Sequence, residues 1–182
     1  MMKRLLPLLF ATLLPLAHAG DFKLGSSDVP ADGKLAEKQV YIGYGCNGGN
    51  QSPALQWSGV PAGAKSLALV LHDPDAPVSG GWYHWTLYDV PPATTALPAN
   101  AGNSTGSKLP KGAKQGRTSF GGNSFGGACP PIGHGVHHYN FTLYALKVAT
   151  LPLAEDTPPA EAEAQIKAAS LGSSSFTATY QR

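Results

Sequence analysis

Ser66-Leu67-Ala68-Leu69-Val70-Leu71-His72 is the stretch on which the fold turns. It is a continuous apolar run without polar alternation, the pattern of a strand buried on both faces. Asp73-Pro74-Asp75-Ala76-Pro77 ends it, because each proline removes a backbone donor and biases the preceding residue away from helix. Working outward, 82–90 and 139–148 are rich in aromatic and β-branched residues and read as two further long strands. Residues 40–44 and 54–57 read as short strands, and 176–180 alternates like a final one. Turns are marked at Pro61-Ala62-Gly63, Ser79-Gly80-Gly81 and Pro91-Pro92.

The sequence carries 22 glycines and 16 prolines while only 13% of its residues are charged, which fits short strands joined by tight turns. One helix is expected at 158–170, with Thr157 as N-cap and Pro158 near the first helical position. Glu161 and Glu163 fall early and Lys167 late, as the helix dipole favours, and Gly172 marks the stop. Residues 100–127 are rich in Gly, Ser and Lys without periodicity and read as a long loop. Lys108, Lys111, Lys114 and Arg117 recur there every three residues, but Pro110, Gly112 and Gly116 forbid a helix that would align them. The reading is a solvated loop, set against a patch that attracts an anionic partner.

Residues 1–19 stand apart. Lys3 and Arg4 precede an apolar stretch from Leu5 to Leu16, and Ala17-His18-Ala19 fits a small-x-small cleavage site, so this is read as a signal peptide with cleavage near Ala19 and a periplasmic or secreted product. The stretch is too short to span a bilayer comfortably and Pro7 and Pro15 interrupt it, so no transmembrane segment is expected. Without Lys3 and Arg4, the 13 basic residues become 11 against 11 acidic, a net charge of zero. That balance argues against a nucleic-acid partner, which calls for a basic excess. Residues 20–182 have the length of one domain.

Cys46 and Cys129 are the only cysteines. An oxidising compartment favours joining them, and closing a loop of roughly 80 residues contributes on the order of 4 kcal/mol in the chain-entropy picture. The alternatives are two buried thiols or a metal pair, and neither cysteine sits in a C-x-x-C arrangement.

Unusual side chains concentrate at strand ends: 73–77, Trp82-Tyr83-His84-Trp85, and Cys129-Pro130-Pro131-Ile132-Gly133 leading into His137-His138-Tyr139. Strand alternation places His137 with Tyr139 on one face and His138 with Asn140 on the other, and His84 with Trp82 and Thr86. His84, His137 and Tyr139 in one pocket would offer two imidazole N–H donors and a phenol O–H to phosphate or carboxylate oxygens, with Asp73 orienting an imidazole. On spacing alone, polar residues that merely satisfy one another beneath the loops compete with this. Unperturbed imidazoles titrate near pH 6.5, so acidification is expected to add positive charge and tighten anion binding.

Leu69-Val70-Leu71-His72-Asp73-Pro74-Asp75-Ala76-Pro77, Gly81-Trp82-Tyr83-His84-Trp85, and Gly127-Ala128-Cys129-Pro130-Pro131 with His137-His138-Tyr139 resemble, in order and spacing, the three signature blocks of the phosphatidylethanolamine-binding protein family. Asn50-Gln51-Ser52-Pro53-Ala54-Leu55-Gln56-Trp57 and Phe141-Thr142-Leu143-Tyr144-Ala145-Leu146 extend the resemblance, which is greatest to the bacterial branch with its exported members. The resemblance implies a mainly β fold: a central antiparallel β-sheet with a smaller second sheet and a helix near the C-terminus. It implies a ligand pocket lined by Asp73, Asp75, Pro77, Trp82, His84, Gly127, Pro130, Pro131, His137 and Tyr139. The ligand would be a small anionic or phosphorylated group, without cofactor, metal or catalysis. It also implies an alternative role, inhibition of a kinase or protease through the pocket rim and the 100–127 loop. His138 stands where arginine is commoner in the family, which removes a permanent charge from the outer face.

Three other motifs point to different chemistry. Gly122-Asn123-Ser124-Phe125-Gly126 satisfies G-x-S-x-G, but a serine nucleophile there needs a strand before and a helix after, and Pro130-Pro131 cannot continue a helix. Asp73-x-Asp75 resembles an aspartyl-phosphate nucleophile but lacks a later Asp-Asp pair to hold magnesium. Zinc on His84, His137 and Asp73 is chemically sensible but has no H-E-x-x-H pair or cysteine set behind it.

Overall fold

The computed structural model describes residues 21–30 and 33–182, so the segment read as a signal peptide lies outside the described residues. The apolar run becomes β5 (Ser66–Asp73), with β6 (Trp82–Val90) on one side and β9 (His137–Leu146) on the other. All but one of its side chains are buried, as its lack of alternation requires. β10 (Ser170–Tyr180) and β8 (Lys114–Gly116) complete a five-stranded antiparallel sheet of order β10-β9-β5-β6-β8.

A smaller sheet, β1 (Lys23–Gly25), β4 (Leu55–Ser58) and β7 (Ala96–Leu97) in the order β1-β4-β7, covers one face. Leu24, Leu55, Trp57 and Leu97 from it pack with Leu67, Leu69, Leu71, Trp85, Leu87, Phe141 and Leu143 in the larger core. The other face carries α1 (Pro159–Ala169), whose Ile166 and Ala169 meet Ala68, Val70, Tyr83 and Tyr144. A hairpin of β2 (Ile42–Gly43) and β3 (Cys46–Asn47) stands apart from both sheets and is tied to the 128–131 segment by the Cys46–Cys129 disulfide.

Local differences from the sequence reading have identifiable causes. Pro158, not Thr157, is the N-cap, and no side-chain hydrogen bond caps the helix. Gly172 does not act as a stop, because the chain leaves α1 at Ser170 straight into β10, with a bulge between Ser170 and Gly172. β10 begins six residues before the alternating 176–180 stretch because its ladder with β9 supplies backbone partners to a serine-rich segment of weak strand propensity. The 100–127 loop contains β8, whose Lys114 lies 3.0 Å from Asp89.

The register along β5 and β6 matters most for the site. Leu71 pairs with Trp85 and the next residue, His72, pairs with Tyr83, so His84 is an extra residue in β6. Such a bulge turns both His84 and Trp85 toward one face, and it corrects the simple alternation that put Thr86 beside His84. Thr86 stands opposite Val70, on the face beneath α1.

Candidate functional site

Odd-numbered residues of β9 face the larger core, and where the apolar series Leu143, Phe141 ends, Tyr139 and His137 continue it in polar form. Asp73 does the same at the end of β5, beyond Leu71. The bulged His84 brings a second imidazole to the same end of the sheet. These four buried side chains line a cavity of about 470 Å³. Trp82, Phe120, Tyr44, Pro77 and Val78 line it too, and Cys129, Pro130, Pro131 and Arg182 form its lip. Phe120 is the central wall, stacked on Tyr41 at 4.3 Å and set edge-on to Trp82 at 5.3 Å and His84 at 5.4 Å.

Of the ten residues assigned to the pocket, Asp73, Pro77, Trp82, His84, Pro130, Pro131, His137 and Tyr139 line it. Asp75 and Gly127 do not. Asp75 turns outward, where its carboxylate accepts the His138 backbone N–H at 2.8 Å and pairs with His138 Nδ1 at 2.7 Å. The His138 hydrogen bond holds the Asp75 carboxyl below its usual range. Gly127 is a packing requirement, since a Cβ there would collide with the backbone of Gln39, Val40 and Tyr41. Its N–H donates to Asn50 Oδ1 at 2.8 Å, which fixes the base of the lip. His138 points away from His137, as strand alternation demands.

The hydrogen-bond roles differ from the expected pair of imidazole donors. A carbonyl can only accept, so the 2.8 Å contact of His84 Nδ1 with Gly126 O puts the proton on Nδ1 and leaves Nε2 as a lone pair. Burial pushes His84 down to about 4, against the opposing pull of the Gly126 carbonyl and Asp73. Acidification toward pH 5 therefore adds no positive charge at this ring. His137 Nδ1 donates to Asp73 Oδ2 at 2.7 Å, and His137 Nε2 meets His134 Nδ1 at 2.8 Å. The other Asp73 oxygen accepts the Asp75 N–H at 2.9 Å. Two buried polar atoms of the lining residues, His84 Nε2 and Tyr139 Oη, have no hydrogen-bond partner among the described residues. Burial raises Tyr139 well above a phenol's ordinary value, with the nearby Asp73 charge adding to the effect, so it remains an O–H donor.

Arg182, Phe120, Tyr44 and Val78 were missed by the sequence reading. Arg182 Nε donates to Pro130 O at 2.6 Å, Nη1 to Gly45 O at 3.1 Å and Nη2 to Tyr44 O at 3.4 Å. It thus clamps the same two segments that the disulfide joins, and supplies a cation to the cavity mouth. Ser124 lies in a bend without the strand and helix that a nucleophile turn needs. Among the described residues, no three His, Cys, Asp or Glu side chains are grouped as a metal site requires.

The chain is similar to known proteins over most of its length. YbcL of Escherichia coli strain K12 is 43% identical over 165 residues, 91% of this chain and 90% of that one. YbhB of the same organism is 39% identical over 158 residues, 87% of this chain and 99% of that one. The crystal structure of Escherichia coli YbcL, described there as a new member of the mammalian PEBP family, superposes with a TM-score of 0.87 at 42% identity. It covers 90% of this chain and 99% of that one. The family model described as phosphatidylethanolamine-binding protein matches residues 25–181. With the three signature blocks brought to one cavity and the match spanning nearly every described residue, the chain belongs to the phosphatidylethanolamine-binding protein family.

Proposed function

We propose that this chain is an exported, non-catalytic binding protein that holds a small anionic ligand, a phosphate or a phosphorylated head group, in the cavity beneath the Pro130-Pro131 lip. One observation carries the reading: four buried polar side chains, Asp73, His84, His137 and Tyr139, line one cavity, and two of their polar atoms, His84 Nε2 and Tyr139 Oη, have no hydrogen-bond partner among the described residues. Such atoms are costly to leave unsatisfied, so they favour a ligand that bonds to both. Asp73 and His137 are locked to each other and stiffen the floor, while Arg182 supplies positive charge at the mouth.

The non-catalytic part rests on the chemistry of the lining. Its thiol position, Cys129, is held in a disulfide, and Tyr139 is kept as a phenol by burial, not as a phenolate nucleophile. Export is supported by the leader-like segment 1–19 together with that disulfide, which oxidising compartments favour. Among the described residues no helix is long and apolar enough to cross a membrane.

The experiment is titration with inorganic phosphate and with phosphorylethanolamine, followed through the His84 and His137 imidazole resonances. Saturable shifts in both rings are expected. Flat resonances through the millimolar range would end the reading.

A further inference from the structure

Residues 131–136, between the proline lip and β9, are all exposed. Among the described residues, one side-chain hydrogen bond ties this segment to the sheet: His134 Nδ1 meets His137 Nε2 at 2.8 Å. Its backbone adds a bond from Gly133 N–H to Arg182 O and a local turn from His134 N–H to Pro131 O, each at 3.1 Å. Gly133 and Gly135 flank the histidine with φ of 75° and 93°. At neither would a Cβ meet anything within 4 Å beyond its own chain neighbours. His134 is thus carried on two glycine pivots in open space.

We infer that the His134–His137 bond is a proton-counting latch on the lip: it holds while the two rings share no more than one positive charge and releases when both are imidazolium. His137 Nδ1 donates to Asp73 Oδ2 at 2.7 Å, so that nitrogen keeps its hydrogen throughout. With both rings neutral, His134 Nδ1–H donates to the His137 Nε2 lone pair. With one charge, the doubly protonated ring donates to the lone pair of the other. A second charge sets N–H against N–H at a spacing of 2.8 Å and adds repulsion between like charges. As a control on entry to the chamber, the latch rests on the proposed function; as a property of the loop, it is read without ligand.

The surrounding charges balance one imidazolium and not two. From the end of β5 the pair is faced by the Asp73 carboxylate and then by Asp75, which is already matched by His138 at 2.7 Å. From β6 comes His84, which burial pushes down to about 4 and so keeps neutral above pH 5. Tyr139 from β9, Tyr180 of β10 opposite His137, and Tyr44 from the hairpin are phenols, uncharged between pH 5 and 8. Arg182 beyond β10 adds a like charge. Asp73 therefore offsets the first imidazolium, and the second is best accommodated by swinging His134 out to water. Histidine is the side chain whose charge changes in this range, so mild acid is the trigger.

The test is NMR of the ligand-free protein between pH 7.5 and pH 5, with the His134 and His137 ring resonances reporting charge and backbone order parameters at 132–136 reporting mobility. At pH 7.5 the segment is expected to be as rigid as β9, with order parameters of about 0.85. Once both rings are charged, values below about 0.6 are expected there while β5 and β9 stay rigid. His134→Asn puts a non-titrating amide, able to donate or accept, where Nδ1 stood, and should keep the segment rigid at pH 5. His134→Ala should loosen it at both pH values. A wild-type segment already mobile at pH 7.5, or rigid with both rings charged, overturns the latch. So does a pair that takes no second proton by pH 5, or a His134→Asn segment that loosens with acid as wild type does. None of these results touches the anion site, which phosphate titration tests separately.

Discussion

His84 should make this protein acid-sensitive in a way that one substitution reveals. Its folded pKa is pushed down to about 4 by burial, against 6.5 for the free side chain. Between those values the unfolded chain binds a proton that the folded chain refuses, so stability is lost as the pH falls. A depression of about 2.5 units corresponds to roughly 3 kcal/mol, fully expressed below pH 4 and absent above pH 7. The ring is fully buried, so no solvent screening reduces this. Asn at position 84 retains a donor for the Gly126 carbonyl without a titratable group. It also forfeits ring contacts with Phe120 and Tyr139, at a cost of about 1 to 2 kcal/mol at neutral pH. The two stability curves should therefore cross: wild type is more stable at pH 7.5 and His84→Asn more stable at pH 4. Urea unfolding of both proteins, at half-unit steps from pH 7.5 to 4, measures this directly. Asp28 and Asp75, whose carboxyls are held low by hydrogen bonds, titrate in both proteins and cancel in the difference. Parallel curves would refute the buried, neutral His84 on which the site chemistry rests.

Other perturbations have equally definite outcomes. Reduction, or the pair Cys46→Ser and Cys129→Ser, releases a loop of 83 residues and should cost about 4 kcal/mol, a fall in Tm of roughly 10 °C by calorimetry. Arg182→Ala leaves the carbonyls of Tyr44, Gly45 and Pro130 without their shared donor, so amide exchange should accelerate at 43–46 and 131–133 while β5 and β9 stay protected. Gly127→Ala forces a Cβ into the backbone of residues 39–41 and should cost about 2 kcal/mol or more in urea unfolding, because there is no room for a side chain at that position. Tyr139→Phe should preserve the fold and weaken phosphate binding by about tenfold to a hundredfold, since one hydrogen bond to a charged group is worth about 1.5 to 3 kcal/mol.

The long strands were legible because the evidence for them is local. An uninterrupted apolar run from Ser66 can be satisfied only in the middle of a sheet, and β6 occupies the span its aromatic and β-branched content marks out. Short or polar elements carried no comparable signal. β8 has three residues, and the first half of β10 is nearly all serine and glycine, held by pairing with β9 and not by burial of its own side chains. The floor of the cavity was legible from motifs at strand ends, whereas of the mouth only Pro130 and Pro131 were. Tyr44, Phe120 and Arg182 lie far apart in the chain and meet only through the disulfide and the folded loop. The hydrogen-bond polarity of His84 was equally hidden, since it depends on one backbone carbonyl 42 residues away. Alternation failed at Thr86 because a bulge breaks the period of two on which that reasoning depends.

That irregularity in β6 also gives the molecule its own optical readout. Because the inserted residue aims consecutive side chains the same way, His84 in the chamber is bonded directly to Trp85 in the core, whose indole N–H is held by Gln115 at 2.8 Å. Trp82, two residues earlier, stands in the chamber wall. A ligand in the chamber would change the surroundings of one indole at first hand and reach another through a single peptide link, so tryptophan emission should track the filled fraction without an attached dye.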